Sequence, residues 1–186
     1  VERTRRQRAG EKLSSITEGF CTRLGVAARV LPMSDDPVRT VVHTDAGPIP
    51  FQEYFALRKC RPAVRGFEFE GADAAEFHPS AAAALQAGDL SAVLICPSNP
   101  YVSIAPILAL TGAREYLRTT AAPVIAISPI VGGAALKGPA AKMMRELGEN
   151  AAAETVAAQY ADLLDGFVLD RCDVGEAEAI RARGPR

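Results

Sequence analysis

With 186 residues, 48% of them hydrophobic, the chain is long enough for one α/β domain with a sizeable core. Its 21 basic and 22 acidic residues leave a net charge of −1, which argues against a nucleic-acid binder, since such proteins carry a basic surplus. No apolar run approaches the ~20 residues of a membrane span and no signal peptide is visible. The four cysteines (Cys21, Cys60, Cys96, Cys172) are too scattered for a metal finger or disulfide framework, so a reducing, cytoplasmic setting is expected.

Near the start, Arg3, Arg5, Arg6, Arg8 and Lys12 cluster, as a solvated helix face or as a phosphate-contacting arm. Leu13, Ile16, Phe20 and Leu24 recur at spacings of three and four and predict a helix over 9–24, stopped by Gly25. Residues 27–32 read as a short strand, 33–37 as a polar turn and 38–44 as a strand rich in β-branched residues. Residues 45–47 are a turn; 49–57 suit a strand or a helix equally; 64–69 form another strand. Pro79 opens an alanine-rich helix that Gly88 stops.

Residues 92–96 form a continuous apolar strand of the kind buried on both faces of a parallel sheet, with Cys96 as a small core residue. Ser103 is expected to cap a helix to about 110, continued by 112–119. A second buried strand follows at 124–128, then a short helix over 139–147, an amphipathic helix over 152–164, a third strand at 167–169 and a terminal helix over 175–183. Strands alternating with helices define the fold class as α/β: a doubly wound, mostly parallel, Rossmann-like sheet with helices on both faces. Residues 1–186 read as one domain, with 33–70 as a candidate subdomain or insertion.

In open α/β sheets, ligands bind beyond the carboxyl ends of the strands. Two polar, Gly/Pro-shaped junctions follow the strands at 92–96 and 124–128. The first is Pro97-Ser98-Asn99-Pro100-Tyr101-Val102-Ser103-Ile104. Ser98, Asn99 and Ser103 either donate hydrogen bonds to phosphate oxygens or only close and cap the turn. The second is Ser128-Pro129-Ile130-Val131-Gly132-Gly133, leading through Lys137-Gly138-Pro139 to Lys142. Gly132 and Gly133 let backbone approach a ligand closely. Lys137 and Lys142 stand at the front of a helix, where the dipole disfavours cations unless an anion is bound; the alternative is that both point into water. Ser34, Asp35 and Asp36 lie in a turn, where paired carboxylates suit Mg²⁺, a general base or local capping; Arg39 and Thr40 follow within reach of an anion. His43 and His78 stand near no nucleophile.

Together these stretches resemble the 2-phospho-L-lactate transferase family (the CofD/FbiA type) of deazaflavin coenzyme F-420 biosynthesis. The resemblance rests on Leu31–Thr40, Phe51–Phe55, Cys96–Leu108, Ser128–Gly133, Lys137–Met144 and Asp165–Val168, in that order. It implies a Mg²⁺-dependent transferase that moves a phospholactyl or phosphoenolpyruvyl group from a guanylyl diphosphate donor to the deazaflavin FO, releasing GMP, commonly as a homodimer. On this resemblance, Ser98, Asn99, Ser103, Ser128, Gly132, Gly133, Lys137, Gly138 and Lys142 hold the donor. Asp35, Asp36 and Arg39 lie near the reacting end as the catalytic set, with Ser34 and Thr40 beside them. The family's opening strand, Gly-rich turn and main metal carboxylate are expected outside this chain, leaving exposed apolar surface. Ala105 and Thr111 depart mildly from the family pattern. Two alternatives to the transferase are a non-catalytic nucleotide-sugar-binding regulator of the same fold and an inactive remnant.

Overall fold

The structure is a computed structural model that describes residues 2–184. It opens with two helices, α1 (Glu2–Arg8) and α2 (Leu13–Arg23), where the sequence predicted a single one from residue 9. The chain turns between them, and the Arg6 guanidinium folds back onto the Glu11 carboxylate. α1 buries no residue, so its arginines decorate a solvated face. α2 buries Ile16 completely. Residues 27–32 are not a strand: no neighbouring strand supplies ladder partners, and the segment runs exposed.

A three-stranded antiparallel sheet follows, built from β1 (Arg39–Thr44), β2 (Gly47–Pro50) and β3 (Val64–Glu70) in the order β2-β1-β3. Val42 pairs with Ile49 on one side and Phe67 on the other. The ambiguous segment after β2 resolves into both forms, a strand end and then a π-helical turn over Glu53–Leu57. That turn buries Tyr54 completely, and Val42, Ile49, Tyr54 and Val64 join the main core.

The second layer is a parallel sheet. Helix α3 (Pro79–Gln86) leads to β4 (Val93–Ile95). A π-helical turn (Pro100–Ile104), α4 (Ala105–Leu108) and α5 (Ala113–Thr119) cross over to β5 (Val124–Ile127). A small hairpin, β6 (Ile130–Val131) and β7 (Ala134–Ala135), precedes α6 (Ala140–Glu146) and α7 (Ala153–Gln159). β8 (Gly166–Val168) completes the order β4-β5-β8, and a 3₁₀ turn (Arg171–Glu176) with α8 (Ala177–Arg181) ends the described chain. The fold is thus α/β, with a parallel sheet flanked by helices.

Strand polarity decides what each face meets. Alternate residues point to opposite faces, and parallel partners in register share a face. Val93, Ile95, Val124, Ala126 and Phe167 pack against the core formed with α6, α7 and the antiparallel sheet. Leu94, Ile125, Ile127 and Val168 occupy the other face. There Leu94 is 59% exposed and Val168 50% exposed. Cys96, just past β4, is also exposed rather than a core residue. The reason lies in the crossovers. Both run in the same direction along the sheet, and right-handed connections of one direction place their helices on one face.

Candidate functional site

β4 and β5 are adjacent and parallel, with Leu94 in register with Ile125. The chain therefore leaves both strands at the same edge of the sheet, and the two polar junctions share one rim. Asn99 shapes the first. Its Oδ1 accepts the Tyr101 N–H at 2.9 Å and the Val102 N–H at 3.3 Å, so Asn99, not Ser103, caps the helical turn. Pro100 stands at its first helical position, where the absent N–H costs nothing. The Asn99 Nδ2 donates toward the Met143 sulfur on α6 at 3.3 Å, tying the first junction to the second. Ser98 is half-buried and Ser103 exposed on the rim.

The second junction is stiffened from within. The Ser128 hydroxyl, buried, donates to the Ile130 carbonyl at 2.8 Å and accepts the Ile130 N–H at 3.1 Å. Gly132 and Gly133, with φ of +57° and +74°, form the two-residue turn of the β6–β7 hairpin, a geometry that favours glycine at both positions. The Gly132 N–H is not free: the buried Asp173 carboxylate accepts it at 3.0 and 3.1 Å. Arg145 donates to the Gly133 carbonyl at 2.8 Å. Beyond the hairpin, Lys137 and Gly138 are exposed.

Lys142 faces away from the rim. Its Nζ donates to the Pro62 carbonyl at 3.0 Å and pairs with Glu146 at 2.6 Å, while Glu146 also accepts the Val64 N–H at 3.0 Å. This lysine clamps α6 to the antiparallel sheet. The (i, i+4) spacing to Glu146 is the sequence signal for that role. Tyr101 makes a second clamp, stacking on Phe67 at 5.5 Å between centroids and hydrogen-bonding Glu149. Burial foremost, with Glu149 beside it, pushes the Tyr101 phenol well up and keeps it neutral.

The acidic turn is likewise engaged in structure. Asp35 accepts the Ser14 N–H and hydroxyl, each at 2.7 Å, at the start of α2. Burial opposes the charge of Asp35, but these two bonds outweigh it and hold the carboxyl below its usual range. Asp36 accepts the Glu76 N–H at 3.0 Å, and the buried Ser34 hydroxyl accepts the Asp36 N–H at 3.0 Å. Arg39 is exposed at the start of β1, paired with Glu70, and Thr40 lies opposite Phe69. No group of three or more His, Cys, Asp or Glu side chains that could hold a metal occurs among the described residues.

Subtracting these structural duties leaves Ser98, Ser103, Lys137 and the Gly138 backbone open on the rim. A cavity of about 260 Å³ lies behind the first junction, lined by Pro100, Leu108, Arg114 and Tyr160. Another, of about 430 Å³, is lined by Ser14, Arg29, His78 and Ser80. Neither includes those rim residues. The residues that hold the rim but escaped the sequence reading are Asp173, Met143, Glu146 and Glu149. Among the described residues no helix is long and apolar enough to cross a membrane.

A parallel sheet with two polar crossover junctions on its carboxyl edge places the chain among α/β proteins that bind ligands at a strand rim. More narrowly, the chain belongs to the CofD family, since the model described as 2-phospho-L-lactate transferase CofD matches residues 3–183. A 2-phospho-L-lactate transferase of Methanosarcina mazei is 38% identical over 177 residues, covering 95% of this chain and 57% of that protein. A phosphoenolpyruvate transferase of Kitasatospora aureofaciens is 40% identical over 181 residues, covering 95% of this chain and 56% of its own. The chain thus spans a little over half the length of these curated relatives. In structure it is similar to a UPF0052 family member from Bacillus halodurans, with a TM-score of 0.60 and 14% identity over 91% of this chain and 53% of that one.

Proposed function

We propose that this chain supplies the donor-binding part of a transferase acting in coenzyme F-420 biosynthesis. The reaction moves a phospholactyl or phosphoenolpyruvyl group from a guanylyl diphosphate donor to the deazaflavin FO. The terminal ribityl hydroxyl of FO attacks the phosphorus next to the three-carbon acid, the bond to the GMP oxygen breaks, and GMP leaves. In such transfers the protein contributes mainly positioning and charge stabilisation.

On this reading Lys137 meets the diphosphate as a mobile cation, and Ser98 and Ser103 donate hydroxyl hydrogen bonds to its oxygens. The Gly138 backbone approaches the same group closely. Asn99, Ser128, Gly132, Gly133 and Lys142 act one step back, by fixing the shape of the two junctions. Asp35 and Asp36 fix the turn that carries Arg39 and Thr40. Mg²⁺ would neutralise the diphosphate when bound. The protein works in the cytoplasm, as a homodimer and without nucleic-acid or membrane partners.

The observation that carries this reading is the adjacency of β4 and β5, which brings the two junctions to one rim. The transferase names of relatives at 38% and 40% identity favour it over a non-catalytic regulator. The test supplies FO, the guanylyl donor and Mg²⁺ to the protein and follows the products by mass spectrometry. Formation of phospholactyl or phosphoenolpyruvyl deazaflavin with equimolar GMP supports the reading. Donor binding without transfer by a protein that carries this chain together with the rest of a family transferase supports the regulator.

A further inference from the structure

Tyr160 is 3% exposed, and its hydroxyl is the one buried side-chain oxygen or nitrogen among the described residues without a hydrogen-bond partner. A buried donor left unpaired is costly, and each instance calls for an explanation. The neighbouring Tyr101 hydroxyl does not answer it, being committed to Glu149. Tyr160 also lines the cavity of about 260 Å³ behind the first junction. Pro100, Ala105, Leu108 and Ala109 give that cavity an apolar wall, and Arg114 is the one charged residue lining it. Burial foremost pushes the Tyr160 phenol up; Arg114 works against burial, which marks its guanidinium as the hydroxyl's charged neighbour.

The chemistry of these two polar groups selects an occupant. A neutral phenol has a proton to donate, and a guanidinium donates only. Arg114 donates to Asp162 at 2.6 Å and, over a long 3.4 Å, to the Gln159 carbonyl, which leaves N–H groups over. Arg118 pairs with Asp162 as well, so two cations share one carboxylate and positive charge remains. A negatively charged acceptor fits this end of the cavity. A single water, with its ~30 Å³ share of liquid volume, would satisfy the hydroxyl but leave the apolar wall uncovered. The cavity lies just under the roughly 300–1,000 Å³ of pockets for drug-sized ligands, so the occupant is small.

We infer that this cavity binds a short-chain organic carboxylate. Its oxygens accept from the Tyr160 hydroxyl and the Arg114 guanidinium, and its hydrocarbon body lies against Ala105, Leu108 and Ala109. Bound there, the acid joins α4 to the end of α7 and braces the turn at Pro100 from behind. The site shares no lining residue with the open rim of Ser98, Ser103, Lys137 and Gly138. None of these contacts depends on transferase activity.

The probe is butyrate, with butyramide and 1-butanol as controls of matched length at constant ionic strength. Methyl nuclear magnetic resonance of the chain reads Ala105, Leu108 and Ala109. Butyrate should shift these methyls saturably in the millimolar range and raise the unfolding midpoint. Butyramide keeps an acceptor but no charge, and it and butanol should bind about tenfold more weakly or worse. Tyr160→Phe should lower butyrate affinity about tenfold, the loss of one charge-assisted hydrogen bond, with circular dichroism unchanged. Arg114→Gln should act in the same direction and carries the test if Tyr160→Phe does not fold. Absence of a saturable shift overturns the inference. So does equal binding of butyramide, or butyrate affinity unchanged in folded Tyr160→Phe or, failing that variant, in Arg114→Gln.

Discussion

The Asn99 side-chain amide lies 3.3 Å from the Met143 sulfur, and this contact joins the two rim junctions. One side chain thus caps a helical turn with its oxygen and reaches the neighbouring junction with its nitrogen.

Asn99→Ala is therefore expected to act through stability before it acts through binding. Loss of the cap costs about 1–2 kcal/mol, read as a lower midpoint in urea unfolding. Asn99→Asp, which keeps the capping oxygen, should recover most of that loss. If Asn99→Ala unfolds like the unsubstituted protein and only loses affinity for GDP, the side chain faces ligand instead.

The two lysines of the second junction should separate cleanly. Lys137→Ala leaves stability unchanged and weakens GDP binding several-fold by titration calorimetry. Lys142→Ala lowers stability by about 1 kcal/mol, a figure kept small because its pair with Glu146 is partly solvent-screened, and leaves GDP affinity within twofold.

Asp35 sets a pH dependence whose sign follows from its depressed carboxyl. A carboxyl held below its unfolded value of ~3.9 adds stability above that pH, and the contribution disappears as pH falls through the lower, folded value. Asp35→Ala should cost about 1–2 kcal/mol at pH 7, from two lost hydrogen bonds at the start of α2. The gap between variant and parent should narrow as the pH falls from neutral to below that unfolded value. Denaturant titrations at both ends of that window check it, and a gap constant across the window would contradict it.

Tyr160 offers a test of the core. Its hydroxyl is buried with no hydrogen-bond partner, and burial pushes the phenol strongly up. Tyr160→Phe removes an unsatisfied polar group without opening a large cavity, so stability should stay level or rise by up to about 1 kcal/mol. A loss beyond 1 kcal/mol in the same unfolding assay would show that the hydroxyl has a partner in solution.

Much of this architecture was legible in the chain. The apolar runs around Val93–Ile95 and Val124–Ile127, each closed by a Pro-bearing polar junction, place parallel strands and their loops on one rim. The β-branched residues of 38–44 place β1. Other features were not legible, for physical reasons. Residues 27–32 have strand-like composition, but a strand exists only with a partner. Leu94 and Cys96 look like core residues, but exposure depends on which way the crossovers run. Asn99 followed by Pro100 is a stronger cap signature than Ser103, and the local pattern contained it. Asp173, 41 residues from Gly132, leaves no local trace of its hydrogen bond. Long-range bonds likewise engage Gly132 and Lys142, and a local turn engages Ser128, all three placed in the binding set by the resemblance.

The most direct test of the shared rim is nuclear magnetic resonance mapping of GDP binding on the isotope-labelled chain. Shifts concentrated at the amides of Ser98, Ser103, Lys137 and Gly138, and abolished together by Lys137→Ala, are the predicted result. Shifts confined to one junction, or centred on the cavity lined by Arg29 and His78, would contradict the account.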